Sequence, residues 1–147
     1  HTNLKSLCEM DSFEFEKRAP SLIDPVIRKR VKHCVYENER VNKAVAALEK
    51  GDLEKLGKLL CESHESLRDD YEVTGIELDT LYTEAVQAKG CIGARMTGAG
   101  FGGCAIAIVH KDAVKEFIAE VKPAYAAKTG LDASFFACES GDGVNLL

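Results

Sequence analysis

A six-residue run, Gly98-Ala99-Gly100-Phe101-Gly102-Gly103, contains four glycines and separates two short β-compatible runs, Ile92 to Thr97 and Cys104 to His110. A helix does not run through glycines at that density, because each costs about 1 kcal/mol relative to alanine in a helix interior. The segment therefore reads as strand, glycine loop, strand. Each glycine lets the backbone take positive φ or approach a ligand with no Cβ in the way. Successive N–H groups can then converge on an anion, an arrangement that suits phosphate oxygens. A glycine-rich connection with no ligand accounts for the composition equally well, and both readings stand at this point. The run also spells G-x-G-x-x-G, yet a dinucleotide site needs a helix directly after it, and Ala105-Ile106-Ala107-Ile108-Val109 follows here. Gly-Lys-Ser and Gly-Lys-Thr are absent, which removes the P-loop class.

Helix signals fill the ninety residues before the loop. Asp11 and Glu14 have capping-box spacing and open a short helix to about Arg18. Asp24-Pro25 reads as N-cap and N1 proline of a helix running to about Lys50, with Ile27, Val31, Cys34, Asn38, Val41, Val45 and Leu48 along one side. Gly51 stops it. Asp52 caps the next helix, whose stripe is Leu53, Leu56, Leu60, Ser63 and Leu67, ending near Arg68 and packing antiparallel to its predecessor. After a link at Asp69 to Val73, Thr74 and Glu77 form a capping box for a helix bearing Leu78, Leu81, Tyr82 and Ala85, closed by Gly90. Beyond the second strand, Asp112 starts a helix with Val114, Phe117, Ile118 and Val121 on one side. Pro123 is expected to kink it and displace Tyr125 to Lys128. Gly130 ends it, Ala133 to Glu139 reads as a third strand, and Gly141-Asp142-Gly143 as a turn. A helical layer packed on a small antiparallel sheet, an α+β fold, is the simplest solution.

The chain of 147 residues, 46% of them hydrophobic, supports one domain with a true core. Its formal charge of -5 leaves no basic surplus for a phosphate backbone, so nucleic acid is excluded as a partner. The six cysteines stand 13 to 34 residues apart without a C-x-x-C pair, and are expected to be reduced thiols serving as small core residues. No run approaches the ~20 apolar residues of a membrane span and no signal peptide opens the chain, so a cytoplasmic protein is expected. The first residue is His1 rather than Met, which reads as a piece of something longer.

The stretch from Gly93 to Cys104, Gly-Ala-Arg-Met-Thr-Gly-Ala-Gly-Phe-Gly-Gly-Cys, resembles the third signature motif of galactokinases in the GHMP kinase family. His33-Cys34-Val35-Tyr36-Glu37-Asn38-Glu39-Arg40 is similar to the family's H-V-V-x-E-N-x-R helix. Ser63 to Val73 resembles its S-H-x-S-L-R-D-D-Y-E-V segment, and Gly141-Asp142-Gly143 its C-terminal turn. The resemblance covers about residues 12 to 143 and implies that residues 1–147 form the GHMP kinase C-terminal domain, a ferredoxin-like sandwich. It implies transfer of the γ-phosphate of MgATP to the anomeric hydroxyl of α-D-galactose, in a cleft shared with an N-terminal lobe of the same polypeptide. Gly98, Ala99, Gly100, Phe101, Gly102 and Gly103 would then face the phosphates or the substrate. The family's sugar-binding motif, serine-rich loop, and catalytic Asp and Arg have no counterpart here, so this chain is expected to hold no catalytic residue and no Mg2+ ligand. The chain on its own is expected to be inactive.

Individual side chains have plainer roles. Asp69 and Asp70, adjacent after a helix, read as solvated or capping groups rather than a metal pair. His64 is expected to pack or hydrogen-bond between helices. Asn38, interrupting an apolar stripe, reads as a buried hydrogen bond that fixes helix register. Arg40 and Arg68 read as partners of nearby acids, while Arg95 is open to a phosphate contact or a structural ion pair. Three other functions compete: a noncatalytic sensor of galactose and ATP in the same family, an N-acetylgalactosamine kinase, and a free-standing ligand-binding module.

Overall fold

Three aspartates start three helices in the computed structural model, which describes residues 4–139 and 141. Asp11 Oδ1 accepts from the Glu14 N–H (2.8 Å) and opens α1, Ser12–Arg18. Asp24 Oδ1 accepts from Val26 and Ile27 N–H (2.8 and 3.3 Å) ahead of Pro25, the first residue of α2, Pro25–Glu49. Asp52 Oδ1 accepts from Lys55 N–H (3.0 Å) and opens α3, Leu53–Ser66. Each carboxylate satisfies donors that the first helical turn leaves unpaired and faces the positive end of the helix dipole. Between α2 and α3 the chain reverses at Gly51, φ +67.

Three boundaries differ from the sequence expectation. The third helix does not give way to a link at Asp69: its hydrogen bonding widens into a π turn over Leu67–Tyr71, and Glu72 closes it at φ +60. Helix α4, Ile76–Gln87, is not capped by Thr74; its N-cap is Gly75 at φ +91, which turns the chain so that Thr74 lies one residue outside and is buried. Helix α5, Val114–Thr129, runs through Pro123 without interruption and stops at Gly130, φ +72. Strands β1, Cys91–Thr97, and β2, Cys104–Val109, pair antiparallel around the glycine loop. Among the described residues these two make the whole sheet, and Ala133 to Glu139 is not a strand. That segment rests Phe135 on the core but has no ladder partner among the described residues, and apolar composition alone does not make a strand. The Gly-Asp-Gly turn lies outside the described residues apart from Gly141.

The architecture is α+β, with α3, α4 and α5 packed around the hairpin. Tyr82, Ala85, Ala88, Ala94, Phe117 and Val121 join α4, α5 and β1 in one apolar cluster. Leu67, Leu78 and Met96 form a second beneath the loop, and Ala47, Leu56 and Leu59 a third between α2 and α3. None of the six cysteines is fully buried: Cys8, Cys104 and Cys138 are exposed and the other three half-buried, all unpaired. The expectation of core thiols holds in part: Cys61 and Cys91 pack against the first of these clusters, whereas Cys8, Cys104 and Cys138 lie at the surface. No helix of the described residues is long and apolar enough to cross a membrane.

Helix α2 also departs from its expected orientation. Its apolar stripe is largely uncovered, with Ile27 52%, Val41 56%, Val45 49% and Leu48 58% exposed. The face against α3 carries His33, Glu37, Arg40, Ala44 and Ala47 instead, spaced four, three, four and three residues apart. Asn38, on the stripe, reaches the Cys8 carbonyl (3.3 Å) and so ties down the N-terminal segment rather than the register of α2 on α3.

Helix α3 crosses β1 backbone to backbone. A Cβ on Gly57 would sit 2.0 Å from the Ile92 carbonyl oxygen, and one on Gly93 would sit 2.3 Å from that of Gly57. The ladder is irregular at the same place, between Cys91 and Gly93. Such a crossing has no room for one added methyl, and overpacking of this kind costs typically about 1–3 kcal/mol or more. Gly57→Ala should therefore lower the unfolding free energy measured in urea by that order, whereas Lys58→Ala, at an exposed position of the same helix, should leave it nearly unchanged.

Candidate functional site

The glycine loop is held at its crown and at its base. At the crown, the Phe101 N–H donates to the Val73 carbonyl (2.8 Å), and a Cβ on Gly100 would lie 2.0 Å from that same oxygen. Gly100 is thus required by packing against the segment after the π turn. The backbone has φ +80 at Gly98, +87 at Gly100, +57 at Phe101 and +90 at Gly102. Phe101 and Glu72 are the non-glycine residues with positive φ among those described, and they flank the Val73–Phe101 hydrogen bond. A phenylalanine in that region is strained, and such strain persists only where its surroundings impose it.

The remaining loop positions face outward. A Cβ on Gly98 would meet nothing within 4 Å, and one on Gly102 would be 4.0 Å from Glu77 Oε2, in the first turn of α4. Ala99, Gly102 and Gly103 are exposed, and the Phe101 ring is 77% exposed. Ala99 and Phe101 form one wall of an open groove of about 720 Å³, opposite Val26, Ile27, Arg30 and Val31 of α2, with Tyr71 and Val73 at its side. The six residues expected to meet a ligand therefore divide: Gly100 is fixed by packing, and Gly98, Ala99, Phe101, Gly102 and Gly103 border open space.

At the base, α2 and α3 hold the last residues of β1. The Met96 N–H donates to His64 Nδ1 (3.0 Å), so the other ring nitrogen of His64 carries the proton and donates to Asp79 Oδ1 (3.2 Å). The fully buried His64 ring also stacks on Tyr82, centroids 4.0 Å apart. One side chain thus ties α3 to β1 and to α4, as its place between helices led one to expect. Glu37 of α2 accepts from Ser63 Oγ (2.5 Å) through Oε1, faces Arg40 through Oε2, and lies 3.5 Å from Arg95 Nη1. Arg95 also donates from Nε to the Met96 carbonyl (2.9 Å). Of the two roles open to it, the ion pair is present, and its partner is an acid 58 residues away that sequence spacing did not connect.

Asp69 and Asp70 diverge. Asp69 takes both its bonds from Arg68 (2.8 and 3.0 Å), which, with the Lys29 and Lys32 charges, holds its carboxyl below the usual range. Asp70 instead accepts from Lys32 (3.0 Å) and Ser66 (3.1 Å). Because Ser66 donates to Asp70, its oxygen is left to accept from His33 Nδ1 (3.1 Å), and the His33 ring stacks on Tyr71 at 4.7 Å. Sequence reading passed over His33 and Tyr71; the signal was the four-three spacing of His33, Glu37 and Arg40.

These contacts sit in a recognisable frame. Residues 44–127, from α2 through the loop into α5, match the family described as GHMP kinases, C terminal. The chain belongs to that family. Within this GHMP kinase group it is 53% identical to the galactokinase of Clostridium acetobutylicum over 141 residues, covering 96% of this chain and 36% of that protein. It is 51% identical to the galactokinase of Lacticaseibacillus casei over 144 residues, or 98% of this chain and 37% of that one. The structure of Lactococcus lactis galactokinase complexed with galactose superposes with a TM-score of 0.89 at 48% identity, over 92% of this chain and 35% of that one. The chain spans a little over a third of the length of these relatives.

Burial holds both His33 and His64 below the ordinary imidazole value of 6.5, against opposing carboxylates (Glu37 and Asp70 for His33, Asp79 for His64). An imidazole held below its unfolded value is protonated first in the unfolded chain, so its contribution is complete above about pH 6.5 and declines as pH falls below it. Thermal midpoints should therefore agree at pH 7.5 and 8 and drop between about pH 6.5 and 5, with a flatter profile for His33→Gln/His64→Gln. A wild-type midpoint constant across that window would contradict the neutral assignment of both rings.

Proposed function

We propose that this chain is the C-terminal lobe of a galactokinase. Together with an N-terminal lobe of the same polypeptide it transfers the γ-phosphate of ATP to the anomeric hydroxyl of α-D-galactose, giving galactose 1-phosphate. The observation that carries this reading is the exposed, positive-φ glycine loop at 98–103, in a chain about half identical to galactokinases along nearly its whole length. Residues 1–147 then form one domain, and the open face of the loop is its contribution to the cleft.

Phosphoryl transfer depends on positioning and on stabilising charge spread over the phosphoryl oxygens. Gly98 and Gly102 would let the backbone approach those oxygens, because no Cβ occupies the space that they face. Ala99, Phe101 and Gly103 complete the same edge, and Gly100 fixes its height over Val73. Both imidazoles on the inner side are engaged, His64 by Met96 and Asp79 and His33 by Ser66, so neither serves as a base toward the sugar. Mg2+ would supply charge neutralisation at the nucleotide phosphates. The carboxylates of this chain do not fit that role: Asp69 and Asp70 have separate basic partners, and among the described residues no three His, Cys, Asp or Glu side chains converge. We assign the metal, the catalytic groups and the sugar specificity to the other lobe. The uncovered stripe of Val41, Val45 and Leu48 is the surface that lobe would cover, as an apolar face of this kind marks an interface. The setting is the cytoplasm, where the unpaired thiols stay reduced.

Purified alone, the chain should form no galactose 1-phosphate from ATP and galactose. Fused to the N-terminal part of the Clostridium acetobutylicum galactokinase, in place of the matching segment, it should restore turnover. In that two-lobe enzyme Gly98→Val and Gly102→Val should lower kcat by about tenfold or more. Gly51→Val supplies the same φ strain far from the loop and should leave kcat alone. Product from the isolated chain would refute the division of labour, and full turnover in both loop variants would return the loop to a purely structural role.

A further inference from the structure

We propose that Glu37 is a positioning residue for the glycine loop, acting through Arg95 at the loop's entrance. The proposal rests on the reading of the loop as part of the active site. Arg95 lies three residues before Gly98, on β1, and among the described residues its guanidinium has two hydrogen-bond partners: the Met96 carbonyl at 2.9 Å and Glu37 at 3.5 Å. The first is local and cannot set where the strand end lies relative to the helices. The second crosses from β1 to α2, and so can.

Glu37 is itself held rigidly. Ser63, buried on α3, donates to Oε1 at 2.5 Å, and Arg40 occupies Oε2 from one turn along α2. Arg40 is mostly buried, and among the described residues its Nε has no hydrogen-bond partner; Glu62 Oε2 lies 3.7 Å from that nitrogen. Among the described residues, Glu37 is therefore the one carboxylate that both guanidinium groups contact within 3.5 Å. Replacing it with an isosteric amide leaves two cations facing each other across a half-buried space, without the charge that joins them. Arg95 is the more exposed of the two, 30% against 12%, and is the one free to move away. Its backbone neighbour is Met96, whose N–H contacts His64, and one residue further is Thr97, where the loop starts. A shift of about 1 Å at a positioning element is enough to cost up to about 100-fold in rate.

The test is a double-mutant cycle in the two-lobe enzyme: Glu37→Gln, Arg95→Met and both together. Each single variant should lower kcat roughly 10- to 100-fold, with little change in the KM for galactose. The double variant should be no worse than either single one, because both break the same link. Ser63→Ala, which frees Glu37 but keeps its charge, should produce a smaller drop in the same direction. A second readout needs no activity: hydrogen exchange of the 147-residue chain should be faster at Met96 to Phe101 in Glu37→Gln and unchanged in α5. Additive losses of kcat, or unchanged kcat in Glu37→Gln while Gly98→Val and Gly102→Val are impaired, would overturn the role of Glu37. Unchanged kcat in Glu37→Gln and in both glycine variants would instead remove the active-site reading beneath it. Loss of the exchange protection throughout the chain would reduce Glu37 to a general stabilising residue and also overturn the proposal.

Discussion

The absence of two β-carbons determines how this fold is put together. With Gly57 on α3 and Gly93 on β1, helix and strand meet at backbone distance, closer than any side chain permits. From that crossing the two elements run in the same direction, so that seven residues further along α3 His64 reaches the Met96 N–H. Ser63, beside it, reaches across to Glu37 on α2. A wider crossing would pull both side chains away from the strand end by the added width, and a 3.0 Å hydrogen bond does not stretch that far. The placement of the glycine loop is thus inherited from a packing decision made at the other end of the strand.

The loop adds its own strain to this frame. Phe101 at φ +57 and Glu72 at φ +60 are costly conformations for residues with side chains, and the two segments that carry them are joined by one hydrogen bond and by the close approach of Gly100. The Glu72 carboxylate is held by Arg30 (2.6 Å) and Lys29 (3.2 Å) of α2, so the strained corner is anchored to that helix as well. These ion pairs are exposed and worth little singly. Their effect is directional: they fix which way Val73 presents its carbonyl, and through it the crown of the loop. An edge of open backbone that is anchored on two sides loses little further entropy when a ligand binds, which is what a phosphate-binding edge requires.

Much of this was legible in the residues. Asp11, Asp24 and Asp52 announce helix starts because capping is local chemistry, decided within four residues. The hairpin was legible because four glycines leave few alternatives. Most of the failures share one cause, which is that burial and pairing are decided by partners distant in sequence. The stripe Val41, Val45, Leu48 was read as inward, whereas α2 turns His33, Glu37, Arg40, Ala44 and Ala47 toward α3. A hydrophobicity pattern scores the first set and overlooks the second, although the second has the same four-three spacing. Thr74 was read as a cap because nothing local distinguishes it from one; the φ of +91 at Gly75 does. Ala133 to Glu139 has strand-compatible residues, but a ladder needs a neighbour, and local composition cannot supply one. Around the candidate site, the strand-loop-strand placement of residues 98–103 was legible and the Glu37–Arg95 link was not, because its two ends lie 58 residues apart.

The inverted helix also bears on why such a chain would work as half of something. An amphipathic helix in a self-sufficient domain directs its apolar stripe to the core. Here α2 does the reverse: its polar stripe forms the hydrogen-bonded seam with α3, and its apolar stripe is left for another surface. Burying Val41, Val45 and Leu48 would contribute on the order of 1.5–3 kcal/mol for each fully covered side chain. The partner that covered them would press on the helix that holds Glu37 and, at its first turns, on the wall of the groove beside Phe101. Docking at the apolar face and placement of the glycine loop would therefore be linked through one helix of 25 residues, with the polar seam fixing its rotation and the apolar stripe accepting the load.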